Sequence, residues 1–130
     1  YNSGNDAFDF SGSEIKLKNI SGENISDKFI SAGESSSIYV ENVTVKNVNI
    51  GIASKDFSDL EVKNLKMNSG NIAVTSYQKK REYGPAQIII ENNEIKNFKY
   101  IYLSEKGSSI KADGKIIENS NYDYGNLWNL

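Results

Sequence analysis

The chain has 130 residues, with no cysteine and no histidine, and its 15 basic and 17 acidic side chains give a formal net charge of −2. This composition predicts one domain and excludes disulfides, thiolate nucleophiles, imidazole bases and zinc sites built from Cys or His. The basic residues are spread along the sequence, and no apolar run reaches the roughly 18 residues of a membrane span, so neither a nucleic-acid surface nor a transmembrane segment is expected.

Short alternating apolar units recur along the sequence, and three kinds of unit, named A, B and C here, follow one another in each repeat. The A units are Phe8/Phe10, Ile30/Ala32, Ile52/Ser54, Val74/Ser76 and, after a longer step, Tyr102/Ser104. The B units are Ile15/Leu17, Ile38/Val40, Leu60/Val62, Ile88/Ile90 and Ile110/Ala112. The C units are Val43/Val45, Leu65/Met67 and Ile95/Phe98. Alternation with period two predicts strands, and a repeat of about 22 residues predicts that successive repeats stack as the coils of a solenoid.

An asparagine follows each B unit. These residues are Asn19, Asn42, Asn64 and Asn92, and Gly114 takes the place of the asparagine after the last B unit. Asparagine tolerates positive φ and glycine adopts it freely, so we expect this column to form a sharp corner between strands. Stacked asparagine amides can also hydrogen-bond along the solenoid as a ladder. The column therefore predicts a structural role.

A second column, Asn5, Asp27, Asn49 and Asn71, precedes the A units.

Three short strands per coil, about 22 residues per coil and asparagine corners resemble the right-handed parallel β-helix of the pectate-lyase-like superfamily. The resemblance covers residues 5–119 and implies an all-β solenoid of about five coils in a single domain spanning residues 1–130. Residues 120–130 break the period, and we expect their large apolar side chains to cap the core. These side chains are Tyr122, Tyr124, Leu127 and Trp128. The resemblance also implies a secreted or cell-surface bacterial protein. It leaves the activity open, since the fold hosts lyases, hydrolases, epimerases and non-catalytic surface proteins.

One repeat is longer than the others, because Asn64 and Asn92 are 28 residues apart. The extra residues lie between Val74 and Ile88, and such an insertion is expected to form a surface loop. We predict that the aromatic and basic side chains of this loop bind an anionic sugar by ring stacking and charge-assisted hydrogen bonds. These residues are Tyr77, Lys79, Lys80, Arg81 and Tyr83. The alternative is a solvated basic loop without a ligand.

The outward positions of the A units carry mainly small side chains, among them Ala53, Ala73 and Thr75. Small side chains predict a shallow groove that could admit an extended polymer. They are equally compatible with a flat sheet that another domain covers. The sequence does not separate these two interpretations.

Candidates for catalysis are Lys80, Arg81 and Tyr83 together with the carboxylate of Asp56. This combination is considered because β-elimination from a uronate needs a base and a neutralised carboxylate, and it does not need histidine.

No cofactor is expected, with one exception. Asp6, Asp9, Asp56 and Asp59 are candidate calcium ligands through oxygen, or alternatively carboxylates that cap turns.

The sequence favours a non-catalytic segment of a larger bacterial surface protein. This segment would present a rigid face and the loop at residues 77–85 to a polysaccharide or to another domain or protein of the same assembly. The main alternative is part of a polysaccharide lyase or epimerase that acts on an acidic glycan, and a second alternative is a structural spacer. The chain begins at Tyr1 and not at methionine, so we expect it to be a segment of a longer protein.

Overall fold

The computed structural model describes residues 8–78 and 84–127. Within these ranges the chain forms seven strands and one short 3-10 helix. The strands are β1 (Phe8–Ser11), β2 (Glu14–Gly33), β3 (Ser37–Lys55), β4 (Asp59–Tyr77), β5 (Gln87–Ser104), β6 (Ser109–Ala112) and β7 (Lys115–Ile116), and the helix is Tyr124–Leu127. They form one sheet in chain order, and every pair is parallel except β6 and β7. The predicted all-β solenoid of about five stacked turns is confirmed.

Each long strand is bent, because an unbent strand of 20 residues such as β2 would extend for about 66 Å. One bend follows the B unit. There the backbone φ is 55° at Asn19, 60° at Asn42, 61° at Asn64 and 61° at Asn92. From Asn42 onwards, each amide Nδ2 donates to the Oδ1 of the asparagine one coil earlier, at distances of 2.8, 2.9 and 2.8 Å. The predicted asparagine ladder, at a corner where the backbone has positive φ, is confirmed.

A second corner lies five residues after the first and separates the C unit from the A unit. Its positive-φ residues are Asn24, Asn47, Ser69 and Asn97. The predicted C unit Ile95/Phe98 is wrong, because Asn97 turns the chain between these two residues and the pair stacked on Leu65 and Met67 is Asn93 and Ile95. Asn47 donates to Asn24 at 3.0 Å. In the next coil the corner residue is Ser69, and the amide of Asn97 donates to Asn68, the residue before this serine, at 2.7 Å. Asp27, Asn49 and Asn71, the column that precedes the A units, do not have positive φ and do not form this corner, and Asn5 of the same column lies outside the described residues.

Serines organise the third corner, where each A unit turns into the next B unit. The hydroxyl oxygens of Ser36, Ser58 and Ser108 accept the backbone N–H of the residue stacked below them, at 3.2, 3.2 and 3.0 Å. These three serines are at most 5% exposed. The hydroxyls therefore satisfy backbone donors that would otherwise be buried without a partner.

The insertion between Val74 and Ile88 lies at this third corner. Lys55 pairs with Tyr77 at the end of the A unit, and Asp59 pairs with Gln87 at the start of the next B unit. The regular register on both sides places the extra length within residues 78–86. The loop is therefore located where the sequence predicts it, although residues 79–83 lie outside the described residues.

The main core fills the inside of the coils with stacked columns of aliphatic side chains. One column consists of Ile38, Leu60, Ile88 and Ile110, each at most 3% exposed. Burying a side chain of this size contributes roughly 1.5–3 kcal/mol to folding. Strands that could not bury their apolar side alone are thus stabilised by the coils above and below them.

A second hydrophobic cluster forms outside the coils, on the outer face of the A units. Ala53 and Leu103 on this face pack with Tyr77, Tyr124 and Leu127, and the rings of Tyr77 and Tyr124 stack with centroids 6.1 Å apart. The C-terminal segment is attached by a hydrogen bond from the Ser120 N–H to the Ser104 carbonyl at 2.8 Å. It therefore covers the side of the solenoid around Ala53 and Leu103, so this part of the A face is covered, although by the chain's own C-terminal segment and not by another domain.

Gly114 has positive φ as predicted, at 81°, but it does not form the corner of a further coil. Asp113, at φ 49°, and Gly114 connect β6 to the antiparallel β7, in which Ala112 pairs with Lys115. Positive φ at both residues of a two-residue connection is characteristic of a type I′ hairpin turn. The Asp113 carboxylate accepts from the Asn93 amide at 2.8 Å and from the Asn92 N–H, which ends the ladder.

Candidate functional site

The outer face of the B units, named the B face here, remains open. Along β3 the side chains of Ile38 and Val40 point into the core and are buried, so the alternation of a strand directs Tyr39 to the outside. A groove of about 390 Å³ crosses this face over four coils. Among the side chains that line it are Glu14, Lys16, Tyr39, Asp59, Glu61 and Ile89.

Stacking of the coils brings the groove residues together in columns. Lys16, Tyr39, Glu61 and Ile89 occupy equivalent positions of four successive strands. Neighbouring strands are about 4.8 Å apart, so these side chains form a row along the solenoid axis. A second row, parallel to the first, contains Glu14, Ser37, Asp59 and Gln87. The groove therefore suits an elongated ligand that lies across the strands.

Tyr39 is in an acidic environment. Its hydroxyl donates a hydrogen bond of 2.8 Å to Glu41 Oε1. This bond raises the pKa of Tyr39, and partial desolvation and the carboxylates of Glu41, Glu61 and Glu91 raise it further. The neutral phenol is thus held in one orientation, with its ring on an exposed sheet face.

The row next to the groove alternates in charge. Lys18, Glu41, Lys63 and Glu91 stack in successive coils, and Lys18 Nζ lies 3.8 Å from Glu41 Oε2. Opposite charges in neighbouring strands stabilise the pairing modestly. These charges largely neutralise one another, whereas the groove itself has an excess of carboxylates.

The structure separates the residues that the sequence grouped into a ligand-binding loop. Tyr77 is 0% exposed and packs in the second cluster, so its ring is not at the surface and the prediction that it stacks on a sugar is not supported. Lys79, Lys80, Arg81 and Tyr83 lie outside the described residues, and their proposed role stays a prediction.

An exposed aromatic residue lies next to this loop and was not identified from the sequence. Phe57 is 60% exposed and has φ 61°, which is uncommon for a bulky side chain. Its N–H donates to the Gly84 carbonyl at 3.0 Å. Phe57 therefore lies at the base of the loop, and it does not line the groove.

Of the aspartates considered for catalysis or calcium, Asp9 and Asp56 line one small pocket together with Glu34 and Lys55, whereas Asp59 lines the B-face groove. Asp56 is 1% exposed at the third corner, where its carbonyl accepts the Ser35 N–H at 2.9 Å. Asp9 and Asp59 are exposed on different faces, and Asp6 lies outside the described residues. Across residues 8–78 and 84–127, no group of three or more Asp, Glu, His or Cys residues could hold a metal ion.

The groove residues were missed because their sequence signal is weak. Charged residues at alternate positions of a strand usually mean a solvated face, and Tyr39 is a single aromatic residue among them. The signal that could have identified the site is the stacking of Tyr39 and Ile89 in one outward column of the B units.

Comparison of the chain with protein-family models, with curated proteins and with solved structures found no match. In the described part of the chain, no helix has the length and apolar character needed to cross a membrane.

Proposed function

We propose that the protein is a non-catalytic, carbohydrate-binding β-solenoid of a secreted or cell-surface assembly, comparable in architecture to pectate-lyase-like β-helices. The observation that carries the proposal is the groove on the B face. It crosses four coils and combines the ring of Tyr39 and the aliphatic side chain of Ile89 with carboxylates and the Gln87 amide.

This combination is suited to sugars. An aromatic ring and an aliphatic side chain can contact the C–H surface of a sugar ring, while side-chain oxygens and amides hydrogen-bond to its hydroxyls. The regular spacing of about 4.8 Å between coils lines these groups up along the groove, so that an extended polymer can contact several of them at once. The rigid solenoid fixes their positions before binding, which lowers the entropy lost on association.

The proposal is tested by affinity electrophoresis of the protein against a panel of soluble polysaccharides. Tyr39→Ala is expected to abolish the retardation seen with the wild type. The matched control is Phe57→Ala, which removes an exposed aromatic ring outside the groove and is expected to leave binding unchanged.

If Phe57→Ala loses binding and Tyr39→Ala binds normally, the binding site lies at the loop at residues 77–85 and not in the groove. An ultraviolet assay for unsaturated uronate products is run on the same samples. Product formation would contradict the non-catalytic assignment and favour a lyase.

A further inference from the structure

Among the described residues, the carboxylates of the groove have no cationic partner, which bears on the choice of ligand if the groove is the binding site proposed above. Asp59 has Ser37 and Gln87 as its neighbours in the adjacent strands, and Glu61 has Tyr39 and Ile89. Neither carboxylate forms an ion pair with a lysine among the described residues. Both side chains are exposed at the groove, so they are available to a ligand.

The balance of charge along the groove is negative. Its lining contains three carboxylates, Glu14, Asp59 and Glu61, and one ammonium group, Lys16. The carboxylate of Glu41 receives the Tyr39 hydroxyl at 2.8 Å, but it lies 3.8 Å from Lys18 Nζ and does not add to this excess. A ligand that carries carboxylates would be repelled here, whereas a ligand that carries ammonium groups would form charge-assisted hydrogen bonds.

The positions of the groups match a sugar with an amine on its ring. Asp59 and Glu61 are two residues apart on β4 and so lie on the same side of the sheet, and Glu61 is adjacent to Tyr39 in the row of groove residues. A sugar ring over Tyr39 would place a ring substituent within reach of these carboxylates. A hydroxyl can also bind there, but an ammonium group gains the additional attraction between opposite charges.

We propose that the B-face groove selects a polysaccharide whose sugars carry free amines, with Tyr39 as the stacking surface and Asp59 and Glu61 as the acceptors of the ammonium groups. Acetylation of the amine removes its charge, and the preference would be lost with it. The ligand class is therefore distinct from the acidic glycan expected for the basic loop.

The test compares three ligands by isothermal titration calorimetry at low ionic strength: a glucosamine oligomer, the N-acetylated oligomer of the same length, and a galacturonate oligomer. We expect the glucosamine oligomer to bind about tenfold more tightly than the acetylated one, or better, and the galacturonate oligomer to bind most weakly. The difference should shrink as salt is added, because exposed charges are screened.

The double variant Asp59→Asn/Glu61→Gln is expected to bind the glucosamine and N-acetylated oligomers with similar affinity. Glu23→Gln/Glu94→Gln changes the net charge equally, at exposed positions outside the groove, and should keep the preference. Equal binding of the first two oligomers by the wild type, or tighter binding of galacturonate, would overturn the inference and leave carbohydrate binding intact. Failure of all three oligomers and of the polysaccharide panel would overturn the proposed function as well.

Discussion

Asn64 donates its side-chain amide to Asn42 at 2.9 Å while both residues hold φ near +60°, at 61° and 60°. The same side chain thus bends the backbone and connects two coils. These two contributions can be separated by substitution of Asn42, which also donates to Asn19 at 2.8 Å. Glycine keeps the positive φ and loses the hydrogen bonds, whereas alanine loses both.

We expect Asn42→Ala to lower the free energy of unfolding by about 3–4 kcal/mol, from a left-handed backbone penalty of about 1–2 kcal/mol and two hydrogen bonds of about 1 kcal/mol each. Asn42→Gly should cost about half as much. Urea denaturation of both variants gives these values. Equal losses for the two would mean that the backbone conformation contributes little.

The stacking of Tyr77 on Tyr124 predicts that the C-terminal segment is part of the folded core. Tyr124 is 5% exposed and Leu127 is 2% exposed. Tyr124→Ala should therefore lower the free energy of unfolding by about 3 kcal/mol, as for other buried aromatic side chains. Ile116→Ala, at a residue that is 78% exposed, is the control and should change it by less than about 0.5 kcal/mol. A Tyr124→Ala variant as stable as the wild type would show that the segment does not cover the A face in solution.

The same tyrosine predicts a loss of stability in alkali. Burial raises the pKa of Tyr124 to about 12, and Glu105 and Tyr122 act in the same direction, while the Ser120 side chain opposes them. The unfolded state, with a pKa near 10, ionises first, so the contribution of Tyr124 is complete below pH 10 and decreases as the pH rises towards 12.

The loss should reach roughly 2–3 kcal/mol at pH 12. Urea midpoints between pH 8 and 11.5 measure it in the wild type and in Tyr124→Phe, which keeps the ring and removes the titrating group. The wild type should lose stability more steeply. Parallel curves would show that Tyr124 titrates normally.

The repeat and the first asparagine ladder could be predicted because each depends on local chemistry. Alternation defines the strands, and positive φ selects asparagine at Asn19, Asn42, Asn64 and Asn92. The second ladder was missed because Ser69 interrupts it and because Asn49 and Asn71 offered a regular spacing of their own. Period alone does not distinguish a corner from a strand position.

Other features depend on contacts that a repeat pattern does not contain. Leu127 reaches Ala53 and Leu103 from outside the repeat, so the covering of the A face is a long-range packing event. The Asp113–Gly114 pair is itself a hairpin signal. Gly114 also takes the place of the asparagine after the last B unit, so the sequence predicted a further corner there. The groove depends on which charges stack side by side, and stacking becomes visible only when the register of the coils is known.

Gly70 and Gly22 provide a final test of the packing between coils. A Cβ at Gly70 would overlap the backbone carbonyl of Val48 and the ring of Phe98. A Cβ at Gly22 would meet only side-chain atoms, including Ile25 Cδ1 at 2.8 Å. Because a side chain can move and a paired strand cannot, Gly70→Ala should cost about 3 kcal/mol and Gly22→Ala about 1 kcal/mol.

A second substitution at each site distinguishes overlap with a movable side chain from overlap with the strand backbone. The ring of Phe29 lies against Gly22, so Gly22→Ala/Phe29→Leu should be more stable than the sum of the single changes predicts. Gly70→Ala/Phe98→Leu should show little such recovery, since the Val48 carbonyl remains in place. Urea denaturation of the two double-mutant cycles decides the matter: full recovery at Gly70 would mean that the ring of Phe98, and not the strand backbone, sets the limit at this position.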